Sequence, residues 1–570
     1  MRYDVVIGGG GLAGLSLARQ LSLYLPEVSV AVVDPLVRPL PEAAFKVGES
    51  SVEVGARYFG EVLQLAPYLT QRHYRKFGLR YFLGDAAQPL HQRTEWGTDR
   101  ALPVPSYQLD RGVLEHDLRG MIQDAGVALY EGCHLTDVRL GADGADHAVE
   151  IVHRSSQTPE TLACRFFVDA TGRRRLLQSK LGLSRPSPHK ASAAWFRIAG
   201  RVDIDEMVPA SEREWHARVP GRMRYFSTNH FMGTGYWFWY IPLGSGNTSL
   251  GLVTDETIHP VRTYGTVEKC FEWLDTYEPH VAKHLRSRPL MDFKVLRNFS
   301  HLSRQVFSHE RWACVGESGV FLDPFYSPGS DTISIGNTIT QELIALDRAG
   351  SLTPDVTMMY DRFFRAFIDT FLETYTGRYV TFGAPQVATE KVLWDTCLYW
   401  VWTGQVVFRE LLKRHDLLPQ LLSYGLKFSQ LHTRVQDLLC DWARATTGQA
   451  DYRFLAPYDI PYFKYLHEQL AVRRSPEAVI EEFAANLDRF EEWAIALFYR
   501  AIEDVRPELL RDLPNPPWVN AWGISLDPSR WPGDRLLKPQ SAPRSLEPLR
   551  RLLTPGLEAA DAVAQVSAAG

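Results

Sequence analysis

Tyr3-Asp4-Val5-Val6-Ile7-Gly8-Gly9-Gly10-Gly11-Leu12-Ala13-Gly14 opens the chain, and its reading decides the fold. The apolar run from Tyr3 to Ile7 is long enough for a buried parallel strand. Gly9, Gly11 and Gly14 then satisfy G-x-G-x-x-G. The first glycine allows the tight turn, the second lets backbone approach a diphosphate, and the third lets helix pack closely on strand. Leu12, Leu15, Ala18 and Leu21 follow at helical spacing, so a phosphate would meet the helix N-terminus and the positive end of its dipole. Val28 to Val33 gives a second strand, closed by Asp34, 20 residues after Gly14 and placed to accept hydrogen bonds from an adenosine ribose. A glycine loop alone can be no more than a tight turn. Strand, loop, helix, strand and acid in this order predict a nucleotide-binding α/β fold.

Further segments narrow the nucleotide and the chemistry. Gly48-Glu49-Ser50 follows the second strand, and Tyr107-Gln108-Leu109-Asp110-Arg111 enters a helix continued by Leu114 and Leu118. Phe167-Val168-Asp169-Ala170-Thr171-Gly172 and Val315-Gly316-Glu317-Ser318 return to the nucleotide fold. Trp237-Phe238-Trp239-Tyr240-Ile241-Pro242 is a WxWxIP hexapeptide whose two tryptophans share one face of a strand. Lys76 lies 26 residues after Ser50 in Tyr74-Arg75-Lys76-Phe77-Gly78, and Phe321 to Gly329 reads FxxPxxSxG. By itself Lys76, between Arg75 and Arg80, would read as a surface lysine, the tryptophan pair as a core strand, and Phe321 to Gly329 as a loop before a helix. Together with the glycine loop, these segments resemble the flavin-dependent halogenases.

The resemblance implies an FAD-binding Rossmann-like fold of the p-hydroxybenzoate-hydroxylase type, with a β-sheet substrate region and an α-helical C-terminal region. It implies FAD contacts at Gly9, Gly11, Gly14, Asp34, Glu49, Ser50, Arg111, Asp169, Gly172, Glu317, Pro324 and Gly329, with Ser327, Pro328 and Gly329 forming a halide and flavin loop. Trp237 and Trp239 would be gatekeepers that keep organic substrate away from the flavin. Reduced FAD, dioxygen and chloride or bromide would give hypohalous acid, which Lys76 orients or holds as a haloamine. A lysine suits this role because its ammonium is a compact donor on a long stem whose pKa burial can depress. Three departures matter. Glu317 stands where the family has aspartate. Tyr326 stands where free-tryptophan halogenases carry a catalytic glutamate, and Ser330-Asp331 replace an apolar continuation. A phenol or pyrrole, free or on an acyl or peptidyl carrier protein, is therefore expected in place of tryptophan.

No second glycine fingerprint for NADPH follows the first, which also fits enzymes that bind NADPH without a dedicated domain; the resemblance implies that a separate flavin reductase supplies reduced FAD. The net charge of −5 gives no reason to propose nucleic-acid binding, and the six cysteines lack metal-site spacing. No apolar run reaches membrane-spanning length, and a first strand beginning by residue 3 leaves no room for a signal peptide, so a cytoplasmic protein is expected. The expected organisation is an FAD-binding and oxygen-activating core over residues 1–345, with an inserted β-rich substrate region at 185–300. A helical region at 346–515 and a wrapping segment with flexible tail at 516–570 follow. Ala194 to Ile198 and Ser249 to Val253 read as antiparallel strands; Asp355 to Tyr375 and Lys391 to Leu412 read as amphipathic helices. Two other readings remain open: a monooxygenase or reductase on the same frame, acting directly on substrate without halide, and a non-catalytic flavoprotein that binds a carrier domain or partner.

Overall fold

The computed structural model describes residues 1–41, 46–142, 144–448, 450 and 453–556. The first apolar run becomes the strand Arg2–Gly8, whose Val5, Val6 and Ile7 are wholly buried, as in a parallel sheet covered on both faces. Its sheet is ordered Phe307–Ser308, Trp312–Cys314, Pro159–Asp169, Arg2–Gly8, Val30–Asp34, Ala128–Glu131. From Trp312–Cys314 onward the neighbours are parallel. The second strand starts at Val30, later than the apolar run suggests, because Val28 N–H is spent on a turn to Leu25 O. The helix Leu12–Tyr24 follows the glycine loop directly, and a Cβ on Gly14 would lie 2.0 Å from the Gly9 carbonyl oxygen. That contact is the packing reason for the third glycine.

A second eight-stranded sheet roofs the first. Its order is Lys294–Leu296, Ala191–Ile198, Thr248–Asp255, Tyr236–Pro242, Thr228–Gly233, Leu79–Leu83, Thr94–Gly97, Phe454–Leu455. Within 185–300 every strand pair is antiparallel, as expected, and the sheet becomes mixed where strands from outside that stretch join it: Thr228–Gly233 runs parallel to Leu79–Leu83, and Phe454–Leu455 parallel to Thr94–Gly97. Pairing between strands so distant in the chain leaves no local turn signal to read. Period-two alternation splits Tyr236–Pro242 between two cores. Trp237, Trp239 and Ile241 join the main core, while Tyr236, Phe238 and Tyr240 join a second cluster with Trp273, Leu274 and Val281.

The helix Pro354–Tyr375 packs on Leu418–Ala445, which packs on Pro476–Val505. The helix expected from Lys391 to Leu412 instead begins at Pro385 and ends at Phe408, with a π turn over Trp400–Gly404. A 3.6-residue pattern cannot reveal an i→i+5 turn. The end falls short because Glu410 takes a left-handed conformation. None of the described helices is long and apolar enough to cross a membrane. All six cysteines are buried and free. The flexible tail expected at the C-terminus falls largely on residues 557–570, outside the described residues.

A fully buried ion cluster fixes the strand that follows Lys76. Glu95 accepts from Arg80 and, at 2.7 and 3.0 Å, from Nε and Nη2 of Arg224. The Arg224 guanidinium also lies 3.6 Å over the Trp215 ring. The same turn gives Phe226 O to the N–H of Phe77, the neighbour of Lys76. Removing one member of a buried ionic group leaves uncompensated charge and costs about 3–5 kcal/mol. Glu95→Gln is therefore expected to lower the urea midpoint by that amount of stability; an unchanged midpoint would mean the cluster is not what holds this strand.

Candidate active site

Two cavities share a wall at Ser50 and Lys76. The larger, about 430 Å³, runs from the glycine loop to the tryptophan pair. At its first end, Gly9 has φ of +121°, where only glycine is at ease. A Cβ on Gly11, Gly172 or Gly329 would meet nothing within 4 Å, so at these points the backbone faces open space. No side chain caps the helix Leu12–Tyr24, which leaves its first N–H groups for an anion. Arg111, Arg173, Arg174 and Lys294 add cations to the lining, and Lys46, whose pKa burial lowers to about 7, adds an amine. This donor set and glycine cradle fit the diphosphate and ribityl chain of a dinucleotide.

The expected FAD contacts divide into those on the wall and those behind it. Asp34 lines the cavity, and its carboxylate already accepts from Gly10 N–H at 2.6 Å, Leu36 N–H at 2.9 Å and Arg119 at 2.7 Å. One of its roughly four lone-pair positions stays free for a ribose hydroxyl. Arg111 lines it too, held by Val47 O at 2.8 Å and by Glu115. Glu317 faces it with Arg173 3.8 Å away, and burial raises its carboxyl pKa. Ser50, Pro324 and Ser327 are on the wall. Glu49 also touches it, but its carboxylate is taken by the buried Arg197. Gly14, Asp169 and Pro328 are not on this wall. Asp169 is fully buried, and its oxygens accept from the N–H groups of Thr171 at 2.9 Å and Leu177 at 2.7 Å. It shapes the loop and does not face the cavity.

At the other end, Trp237 and Trp239 stand with ring centroids 5.6 Å apart. Trp239 lies flat over Gly251, where a Cβ would come within 2.2 Å of its ring. The Trp237 indole N–H donates to Tyr379 Oη at 2.9 Å, and Tyr379 donates to Asp323 Oδ2 at 2.5 Å. His189 Nε2 contacts the same oxygen at 2.6 Å, and Asp323 Oδ1 accepts from Phe325 N–H at 2.8 Å. Tyr326 and Ser327 both have left-handed φ, 66° and 60°, which is uncommon for such residues and concentrates at functional sites. His230 also faces this end; burial depresses its pKa to about 3, so it is neutral.

Lys76 is 6% exposed, and its amine donates to Ser50 Oγ and to Ser51 O, both at 2.9 Å. Ser50 Oγ lies 2.9 Å from Thr228 Oγ1. Ser50 and Thr228 face the larger cavity and Lys76 the smaller, which holds about 100 Å³. Burial is the main reason the Lys76 pKa falls to about 7; Glu53 and Asp331 pull it back up only in part. The smaller cavity is walled by aromatic rings, among them Trp96, Phe371, Tyr399, Trp400 and Phe463. Three acids enter it: Glu53, Asp331 and Asp395. Two are compensated. Glu53 has Trp400 Nε1 at 3.3 Å and His467 at 3.5 Å; Asp395 has Lys391 and Gln436 at 2.8 Å and Tyr326 Oη at 2.9 Å.

Several lining residues escaped the sequence reading. His230 could have been found, because the Thr234-Gly235 turn joins two paired strands and sets His230 opposite Trp239. Trp195, whose buried indole N–H has no partner, lines the cavity with the tryptophan pair but sits in a strand with no motif. Tyr399 and Trp400 belonged to a helical stripe that reads as core.

The parallel sheet, its glycine cradle and the roofing sheet define a flavoprotein fold, that of the FAD-dependent halogenases. The chain belongs to the tryptophan halogenase family, whose family model matches residues 91–395. The flavin-dependent halogenase chlA of Dictyostelium discoideum is 29% identical over 364 residues, 58% of this chain. The match spans 58% of that relative's length. A 1H-pyrrole-2-carbonyl-[peptidyl-carrier protein] chlorinase of Pseudomonas fluorescens is 23% identical, over 57% of this chain and 72% of its own. Among solved structures, halogenase PltM in complex with phloroglucinol and FAD aligns over 84% of this chain and 98% of its own. Its TM-score is 0.60 and its identity 17%.

The buried amine sets a pH dependence of stability. The unfolded amine keeps its proton to about 10.5, whereas the folded one releases it near 7. Between these values the unfolded chain binds more protons, so stability rises with pH through that window. Lys76→Met removes the buried charge. Its stability relative to wild type, from urea unfolding at each pH, should be greatest below pH 7 and decline steadily toward pH 10.5. A difference that does not vary with pH would contradict a depressed amine.

Proposed function

We propose that this protein is the oxygen-activating half of a two-component FAD-dependent halogenase. Its substrate is an electron-rich aromatic of phenol or pyrrole type, free or on a carrier protein, and a separate reductase supplies reduced FAD. The observation that carries this reading is the Lys76 amine, buried on the wall between a dinucleotide-shaped cavity and an aromatic-lined one. The relatives support it: the chlorinase is named for a pyrrole on a carrier protein, and the PltM structure is a complex with phloroglucinol, a phenol, and FAD.

Bound in reduced form, FAD supplies with dioxygen the oxidation of chloride or bromide to hypohalous acid. The chain's residues do the rest. Gly9, Gly11 and the first turn of Leu12–Tyr24 hold the diphosphate, and Asp34 the ribose. Ser327, Pro328 and Gly329 lead into the N-terminus of the helix Gly329–Arg348, which favours a halide there. Trp237 and Trp239 fill the space an aromatic substrate would need to reach the flavin. Lys76 donates a hydrogen bond to the hypohalous acid, or as a free amine accepts the halogen; with a pKa of about 7, both forms are present near neutrality.

The test is stopped-flow reoxidation of the anaerobically reduced FAD–protein by oxygen, with and without bromide or chloride, while a soluble 1,3-diketone traps oxidised halogen. Halide-dependent reoxidation and trapped halogen are expected in wild type and Lys76→Ala alike, with halogenated aromatic product from wild type alone. Reoxidation indifferent to both halides, with no trapped halogen, would sink the reading and favour direct oxygenation of substrate.

A further inference from the structure

The third acid of the smaller cavity keeps one oxygen that no close donor satisfies. Asp331 sits in the first turn of the helix Gly329–Arg348 and is 1% exposed. Its Oδ1 accepts from Gly55 N–H at 2.8 Å, a contact open only because residue 55 is glycine; a Cβ there would lie 2.2 Å from Ser330 Oγ. Its Oδ2 is buried with no donor in close hydrogen-bond geometry; the Tyr399 hydroxyl, which accepts from Val54 N–H at 3.1 Å, acts on the same carboxyl. A buried carboxylate oxygen without a donor costs free energy, so its persistence on a cavity wall points to a donor that arrives with the ligand. Lys76 lines the same cavity, and the rings of Phe371, Tyr399 and Trp400 wall the space around them.

Resting on the halogenase reading above, we propose that Asp331 is the catalytic base that takes the hydroxyl proton of a phenolic substrate bound in this cavity. The phenolic O–H donates to Oδ2, and as the ring carbon attacks the halogen of hypohalous acid the proton passes to Asp331. The oxygen–halogen bond breaks, and the leaving hydroxide takes a proton from the Lys76 ammonium and departs as water. The ring carbon then loses its hydrogen to the Lys76 amine, the ring regains aromaticity, and Asp331 returns the proton to the phenolate oxygen. Both residues end as they began, and the net reaction is phenol plus hypohalous acid to halophenol plus water.

The surroundings tune Asp331 for this partner. Burial, with Glu53 adding to it, raises its carboxyl pKa to about 8, while Gly55 N–H, the Tyr399 hydroxyl and Lys76 act in the opposite direction. A phenol such as tyrosine has a pKa of about 10, so the transfer is nearly balanced. An ordinary carboxylate would be a far weaker base, and a pyrrole N–H a far weaker acid. The alternative acids are committed: Asp395 to Lys391, Gln436 and Tyr326, and Glu53 to Trp400 and His467. Tyr326 spends its own hydroxyl on Asp395.

The experiment uses FAD-loaded full-length protein with a flavin-reducing supply. Phenol, resorcinol and phloroglucinol are each compared with their methyl ethers, which have no hydroxyl proton to give. Trapped halogen is measured in parallel. Asp331→Asn keeps the side-chain shape and the bond from Gly55, and is expected to form trapped halogen at the wild-type rate. Its kcat/KM for the phenols should fall by about 10²–10⁴-fold, the range of general acid–base catalysis. The methyl ethers should react slowly and equally with both proteins. An Asp331→Asn variant that halogenates phenols as wild type does would overturn the role of Asp331 and leave the halogenase reading standing. So would a wild type that uses ethers as well as phenols, or that forms trapped halogen and halogenates none of the phenols. A wild type that forms no trapped halogen overturns both.

Discussion

One buried guanidinium fixes how the two sheets meet, and the site follows from it. Arg197 reaches from the roofing strand Ala191–Ile198 to Glu49 and, at 3.2 Å, to Asp110, all three nearly without exposure. Both acids belong to connections of the nucleotide unit. Leu109 N–H donates to Glu49 O at 2.6 Å and Ser51 N–H to Tyr107 O at 2.9 Å, so the segment around Glu49 is stitched to the entry of the helix Arg111–Asp124. That entry in turn pairs with Tyr74–Arg75. Three stretches distant in sequence are thus clamped side by side, and Ser50, Ser51 and Lys76 are adjacent as a consequence. Buried ionic groups give little net stability against an apolar substitute, so the return for this one is positional.

The same physics separates the two buried lysines. Lys391 is wholly buried, yet it has Asp395 at 2.8 Å, Thr374 O at 3.0 Å and Gln436 about it, a filled set of acceptors. Lys76 has only a hydroxyl and a carbonyl oxygen. A charged amine in that setting loses hydration without gaining a counter-ion, and a lower pKa relieves the cost. Burial lowers both amines, but Asp395 opposes the shift at Lys391, which braces the helices around it, whereas Lys76 touches no counter-ion and its pKa falls to about 7. Asp331 is its mirror image: a carboxyl whose charge is disfavoured for the same reason. Two groups whose environments push them toward neutrality from opposite sides, on one cavity wall, make an acid and a base of comparable strength.

Legibility in the sequence followed the range of the signals. The strand, glycine loop, helix and Asp34 are local patterns, and they stand within a residue or two of where they were read. The tryptophan pair falls on one face because strand alternation is local as well. The burial of Lys76 was beyond local reading, since it comes from Ser50, Ser51 and Ser106, each brought in by long-range pairing. The inward turn of Asp169 was not legible either, because a loop motif does not say which way its carboxylate points. Asp331 could be read as a departure from a pattern. Its vacant oxygen depends on the helix at Glu53–Arg57 passing close enough to occupy the other one.

The tryptophan pair and the turn at Tyr326 and Ser327 are not independent parts. Trp237 is held through Tyr379 to Asp323, and Asp323 fixes the loop by accepting from Phe325 N–H just before the left-handed pair Tyr326 and Ser327. Tyr326 then reaches across to Asp395, and Tyr375 donates to Phe325 O at 3.1 Å. The loop's strained backbone is thus pinned from the tryptophan side by one carboxylate and from the substrate side by another. Strain of this kind persists only where the surroundings over-determine it. A change that frees the Trp237 indole also loosens the turn at Tyr326 and Ser327. The placing of the tryptophan pair and of the loop before Gly329 is therefore set by one network, with Asp323 at its centre.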